Sequence, residues 1–202
     1  MDNSKIGGSK DEKRTADDRK KREGEAMFSV RNLKQYSIIA LICTASFAAA
    51  QQASISDKHF VKEALEGGNA EVSLGQLAQE KAMSTDVKEF GQKMVNDHTK
   101  LGEQMRPIAQ QIGVEPPTGT PISEKALATK LNLLSGDAFD RAYIRAMVKD
   151  HREDVKAFKK EVSTGKNPAV KAAAKDGLAV VEGHLRRIEE IAATHKVNVS
   201  TY

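Results

Sequence analysis

The sequence predicts an all-α fold: four long helices packed as a bundle, with one long crossover that carries a short extra helix. Three observations predict it. Charged residues make up 30% of the 202-residue chain and aromatics only 4%, while Ala, Leu, Lys and Glu recur throughout; these side chains lose little rotamer freedom on a helix. No stretch shows the sustained alternation of β-branched and polar residues that strands need. From Ser56 onward, breaker residues divide the chain into long segments whose apolar positions recur every three or four residues, which places them on one face of a helix.

The segments follow in order. The first helix is expected over about 57–82, entered at Ser56 as cap. Ser84, Thr85 and Asp86 start the second, which runs to about Ile112 with Pro107 expected to kink its last turns. "GVEPPTGTP" (residues 113–121) is a breaker loop, because proline cannot continue a helix. Ser123 then caps a short helix, "EKALATKLNLL", which ends at Ser135-Gly136. The third long helix runs from Asp137 to about Val162 and stops at "STGKNP". Asn167 followed by Pro168 is a start signal for the fourth, which continues to about His195.

Upstream, residues 27–50 read "MFSVRNLKQYSIIALICTASFAAA". A short basic region, an apolar run too short to span a bilayer and a small-residue end make this a secretory signal, with cleavage expected after Ala50. The single cysteine, Cys43, leaves with it, so the mature chain has no thiol for a disulfide, a zinc–thiolate site or a nucleophile. Residues 1–26 are charged and almost free of apolar side chains, which predicts disorder; Met27 opens a signal of ordinary proportions and is the expected natural start. The expected domain is therefore 51–202, periplasmic or secreted, with no transmembrane span after cleavage. That domain carries 22 Lys/Arg against 21 Asp/Glu, interspersed. It lacks the one-sided basic face that phosphate binding requires, which argues against nucleic acid as a partner.

Met-Val-polar-Asp-His occurs twice, at residues 94–98 and 147–151, in a chain with five histidines. On the second helix the apolar stripe is Val87, Gly91, Met94, His98, Leu101, Met105, Ile108 and Ile112. On the third it is Asp140, Ile144, Met147, His151, Val155, Phe158 and Val162. The fourth stripe contains His184 between Val181 and Ile188, and the first contains Glu71 between Gly67 and Leu74. A ligand-type side chain thus interrupts each stripe near mid-helix, and bundle packing brings all four to similar depth. Glycines 67, 68, 91 and 177 are expected to leave room nearby.

Three stretches carry a resemblance: "SDKHFVKEALEGGNAEVSLGQLAQEKA", "VKEFGQKMVNDHTK" and "FDRAYIRAMVKDHREDVKAFKKE". Together they resemble the bacterial domain-of-unknown-function family 4142, over about residues 56–193. The resemblance implies an exported, ferritin-like four-helix bundle with no settled activity, often labelled a predicted outer-membrane protein. That label sits badly with a sequence that lacks a strand-rich barrel pattern. The 24 residues from Gly113 to Gly136 are long enough to run the length of a bundle, as a one-crossover ferritin-like fold requires.

Two functional readings follow. In the leading one the protein is a non-enzymatic envelope protein that acts structurally, through an envelope partner or as a homo-oligomer, and the histidines form a hydrogen-bonded core layer with Glu71, Asp97, Asp150 or Asp154. In the other, Glu71, His98, His151 and His184 hold a single transition metal for binding or redox work, joined by Met94 and Met147 if the metal is copper. A di-iron centre is disfavoured, because it needs Glu-x-x-His on two helices and the sequence contains none; Glu182-Gly-His184 has a spacing that splits the pair between faces. Asp97 and Asp150 are expected either to accept from a histidine on an adjacent helix or, as the favoured choice, to lie in solvent, with His59 as a surface partner of Glu63 and His195 in a fraying last turn. No phosphate loop or nucleophile elbow is present.

Overall fold

Helix α1 (Ile55–Lys81) opens on a capping box. Ser54 Oγ accepts from Asp57 N at 3.1 Å, and Asp57 Oδ2 accepts from Ser54 N at 2.6 Å. The expected cap at Ser56 is therefore two residues late; the spacing of Ser54 to an acid three residues on decides the start. The computed structural model describes residues 52–119 and 122–200, so the expectations for the extension at 1–26 and the signal at 27–50 lie outside the described residues.

The remaining helices are α2 (Thr85–Gln111), which continues through Pro107, the short α3 (Ile122–Asn132), α4 (Gly136–Thr164) and α5 (Pro168–Thr194). Asn167 caps α5 as expected, its Oδ1 accepting from Ala169 N and Val170 N at 3.0 and 3.1 Å. No strand occurs among the described residues.

Two apolar clusters fix the topology. One joins Leu74 and Ala78 of α1, Phe90 and Met94 of α2, Leu131 of α3, Phe139, Tyr143 and Met147 of α4, and Ile188 and Ile191 of α5. The other joins Phe60 and Leu65 of α1, Met105 and Ala109 of α2, Phe158 of α4, and Val170 and Ala174 of α5. One end of the bundle thus gathers the C-terminal half of α1 with the N-terminal half of α2, and the N-terminal half of α4 with the C-terminal half of α5. So α1–α2 and α4–α5 are antiparallel hairpins, α2 runs parallel to α4, and the chain between them returns along the bundle with α3 packed on α1 and α4. This is the one-crossover, ferritin-like arrangement.

Buried carboxylates join the hairpins at opposite ends. Asp140, in the first turns of α4, accepts from Met83 N (3.0 Å), Ser84 N (2.9 Å) and Ser84 Oγ (2.5 Å), capping α2 from outside. Asp57, on α1, accepts from Lys166 N and Asn167 N at 2.8 and 3.3 Å, in the link between α4 and α5. Each satisfies donors that helix starts and turns leave open. Within the first hairpin the backbones touch: a Cβ on Gly91 would stand 2.7 Å from Gly75 O and 2.8 Å from Ala78 Cβ. A Cβ on Gly177 would collide with the Phe158 ring. These two glycines make close approaches rather than the expected free space. Gly67 does face open space, and Gly68 has only His98 Nδ1, at 3.8 Å, near an added Cβ.

Candidate metal centre

Between the two apolar clusters lies a polar layer made by one side chain from each long helix: Glu71 of α1, His98 of α2, His151 of α4 and His184 of α5. Their relative exposures are 3, 5, 0 and 0%. The ring centroids of the histidines form a triangle with sides of 5.1 Å (His98–His184), 5.4 Å (His151–His184) and 5.9 Å (His98–His151). Phe90 closes the layer on the side of the first cluster, its ring edge-on to His151 at 6.2 Å and to His184 at 6.3 Å. All four side chains singled out from the stripes are thus brought together.

Each histidine has one ring nitrogen held and one left over. His98 Nδ1 lies 2.9 Å from Glu71 Oε2. His184 Nε2 donates to Asp97 Oδ2 at 2.8 Å, and Asp97 also takes Lys93 Nζ at 2.7 Å. His151 Nδ1 donates to the Met147 carbonyl at 3.0 Å. The remaining atoms, His98 Nε2, His151 Nε2 and His184 Nδ1, are buried without a hydrogen-bond partner, and the three histidines offer ring nitrogens within 4.8 Å of one another. His151 Nε2 stands 3.4 Å from Glu71 Oε1.

Protonation does not fill these gaps. Burial holds His98 below its ordinary range. Burial, with the charges of His98 and His184 behind it, pushes His151 down to about 3; burial pushes His184 down to about 4 against the hydrogen bond to Asp97. With all three rings held toward the neutral form, the partners at Glu71, Asp97 and Met147 O take the N–H, and the other ring nitrogen of each histidine is left without a hydrogen-bond partner. Half-buried Asp154 on α4 adds to the layer. Burial, then the charges of Glu71 and Asp150, hold its carboxyl well above the usual range, and a hydrogen bond with Glu71 adds to this.

The outer residues sort differently from expectation. Asp97 is not merely solvated but orients a histidine on a neighbouring helix. His195 is not left in a frayed turn: its Nε2 lies 2.9 Å from Asp86 Oδ2. His59 does pair with Glu63 at the surface, 3.1 Å away, and Glu182 pairs with Lys159 at 2.8 Å, away from the layer. Met94 and Met147 are fully buried in the apolar cluster, where Met147 serves the layer through its carbonyl. Asp97 was legible only as one choice among several; the signal that would have singled it out is the adjacency of α2 and α5.

The sequence matches the model of the family described as "Domain of unknown function (DUF4142)" over residues 43–191. The chain belongs to the DUF4142 family. No curated protein matches it. The DUF4142 chain is similar in fold to a DUF305 fragment from Deinococcus radiodurans, at 17% identity and a TM-score of 0.62, covering 70% of this chain and 98% of that one. It is similar to CopM in the Cu(II)-bound form, at 17% identity and a TM-score of 0.58, covering 68% and 96%. It also resembles a two-domain protein from Anabaena variabilis that contains a ferritin-like domain, at 16% identity and a TM-score of 0.54, covering 74% of this chain and 40% of that one. At these identities the likeness shows the fold of the DUF4142 domain, a ferritin-like helical bundle. Among its described residues no helix is long and apolar enough to cross a membrane.

Proposed function

We propose that this bundle binds a single transition-metal ion through His98 Nε2, His151 Nε2 and His184 Nδ1, with Glu71 beside it. One observation carries the reading: every histidine of the layer has one nitrogen fixed by a carboxylate or carbonyl, and its other nitrogen is buried without a hydrogen-bond partner. Metal-ligating histidines are held in this way, the outer acceptor setting the tautomer and raising ligand basicity. A purely structural hydrogen-bond layer predicts the opposite, since an unsatisfied buried polar atom costs about 1–3 kcal/mol. An imidazole-rich set suits Cu(II), Zn(II), Co(II) or Ni(II). CopM, of similar fold, is a Cu(II)-bound protein, which puts copper first among the ions to test.

Metal analysis of the protein, purified without tag or chelator and then titrated with copper, zinc, iron and manganese, tests this. One ion per chain, lost in the His98→Ala/His151→Ala variant, is the expected result. Absence of uptake of any of the four ions sinks it and returns the layer to a structural role.

We also infer that the domain works outside the cytoplasm, on the strength of the signal-like segment at 27–50. The mature N-terminus at Gln51 in a periplasmic or secreted fraction is the expected finding. A chain retained whole in the cytoplasm refutes it.

A further inference from the structure

A groove of about 420 Å³ runs between α1 and α4. Its walls include Glu63, Glu66, Asp150, Glu153 and Asp154. It shares Gly67 and Asp154 with an inner cavity of about 40 Å³ that reaches Glu71 and His98. The outer acids have near neighbours: Glu63 lies 3.1 Å from His59, Glu66 3.8 Å from Lys62, and Glu153 2.9 Å from Lys149. Deeper in, Glu71, Asp150 and Asp154 bring carboxylate oxygens within 4.8 Å of one another and of a His151 ring nitrogen. Acids in proximity do not make a site. Here a second feature points to a ligand: His151 is fully buried, and its Nε2, without a hydrogen-bond partner, stands 3.4 Å from Glu71 Oε1.

From this geometry we propose that Asp150 and Asp154, with Glu71 and His151, form an outer cation position that receives a hydrated divalent ion from the groove and passes it to the three histidines. The inference rests on the histidine centre proposed above and deepens it. His151 belongs to both ligand groups, so the two positions are alternatives for one ion rather than a pair of sites. The outer position is oxygen-rich and hard, which suits an ion that still carries water. The inner one is nitrogen-rich and holds the ion after water is shed. Carboxylates lining a cleft raise the local cation concentration and the entry rate. Gly67 keeps the passage clear, with nothing within 4 Å of where its Cβ would stand.

The test is stopped-flow loading of Co(II) into the metal-free protein, read by the absorption of the histidine-bound ion. Three chains are compared: wild type, Asp150→Asn/Asp154→Asn, and Gly67→Leu. Gly67→Leu touches no ligand and improves helix propensity, so it remains informative if the double variant folds poorly. The expected result is one Co(II) per chain and the same spectrum in all three, with loading slowed on the order of tenfold in both variants. Salt should slow loading in wild type and Gly67→Leu more than in the double variant. Loading at the wild-type rate in both variants overturns the relay and leaves the histidine centre standing. A wild-type chain that takes up no Co(II) overturns both.

Discussion

Replacing His184 with Leu separates a metal centre from a structural layer by the sign of its effect. His184 is fully buried, gives one hydrogen bond to Asp97 and leaves Nδ1 without a partner. The loss on substitution is small, because Asp97 keeps Lys93 at 2.7 Å and its side chain is 30% exposed; it amounts to about 1 kcal/mol. The gain is the removal of an unsatisfied buried nitrogen, about 1–3 kcal/mol, with an apolar group of similar volume placed against Phe90. Metal-free stability therefore stays level or rises by up to about 2 kcal/mol. With ion at one hundred times the wild-type Kd, the wild type gains about 2.7 kcal/mol; a variant bound a hundredfold more weakly gains only about 0.4 kcal/mol. Urea unfolding, with chelator and then with ion, reads both quantities. Destabilisation of the metal-free variant by more than about 1 kcal/mol, or an ion-induced gain equal to wild type, would refute the reasoning.

Other outcomes follow from neighbouring features. Removing the carboxylate that orients His98 in Glu71→Ala should weaken ion affinity about 10- to 100-fold, read by competition with a chromophoric chelator; unchanged affinity would show that Glu71 holds nothing in place. At the far end of the bundle, burial and the adjacent Asp57 carboxyl push Glu161 up to about 7. A carboxyl whose folded pKa is raised contributes stability at low pH that fades as pH climbs from about 4.5 to 7, by up to about 3 kcal/mol. Glu161→Gln should flatten that slope and exceed wild type at pH 8, and urea midpoints between pH 4.5 and 8 check it; a slope retained in the variant removes Glu161 as its source. Gly91→Ala forces α1 and α2 apart and should cost on the order of 1–3 kcal/mol, whereas Gly67→Ala, facing open space, should gain up to about 1 kcal/mol. Thermal melts of the two variants shifting the same way would contradict the helix contact.

The fold was legible because the breakers are strong and the stripes regular: Asn167-Pro168 and the prolines of residues 113–121 leave little freedom in where helices start and stop. Glu71, His98, His151 and His184 were legible for a related reason. A polar side chain in the middle of an apolar stripe has nowhere to go but inward. What did not show was everything that depends on which helices are neighbours. Asp97 sits one residue from a histidine and looks solvated until α5 is set beside α2. Gly91 and Gly177 suggest space on paper, yet one meets the Gly75 carbonyl and the other the Phe158 ring. The start of α1 was expected at Ser56, and Asp57 three residues after Ser54 moves it to Ser54.

The two hairpins contribute equally to the layer, Glu71 and His98 from one, His151 and His184 from the other. Neither half owns a complete coordination set. An ion bound there as proposed would act as a hasp across the seam: its binding energy would oppose the parting of the halves and leave each hairpin's own formation to its apolar contacts. Because the repeated Met-Val-polar-Asp-His segments lie on the parallel helices α2 and α4, the same short phrase is written once on each hairpin, and the layer exists only where the two hairpins meet.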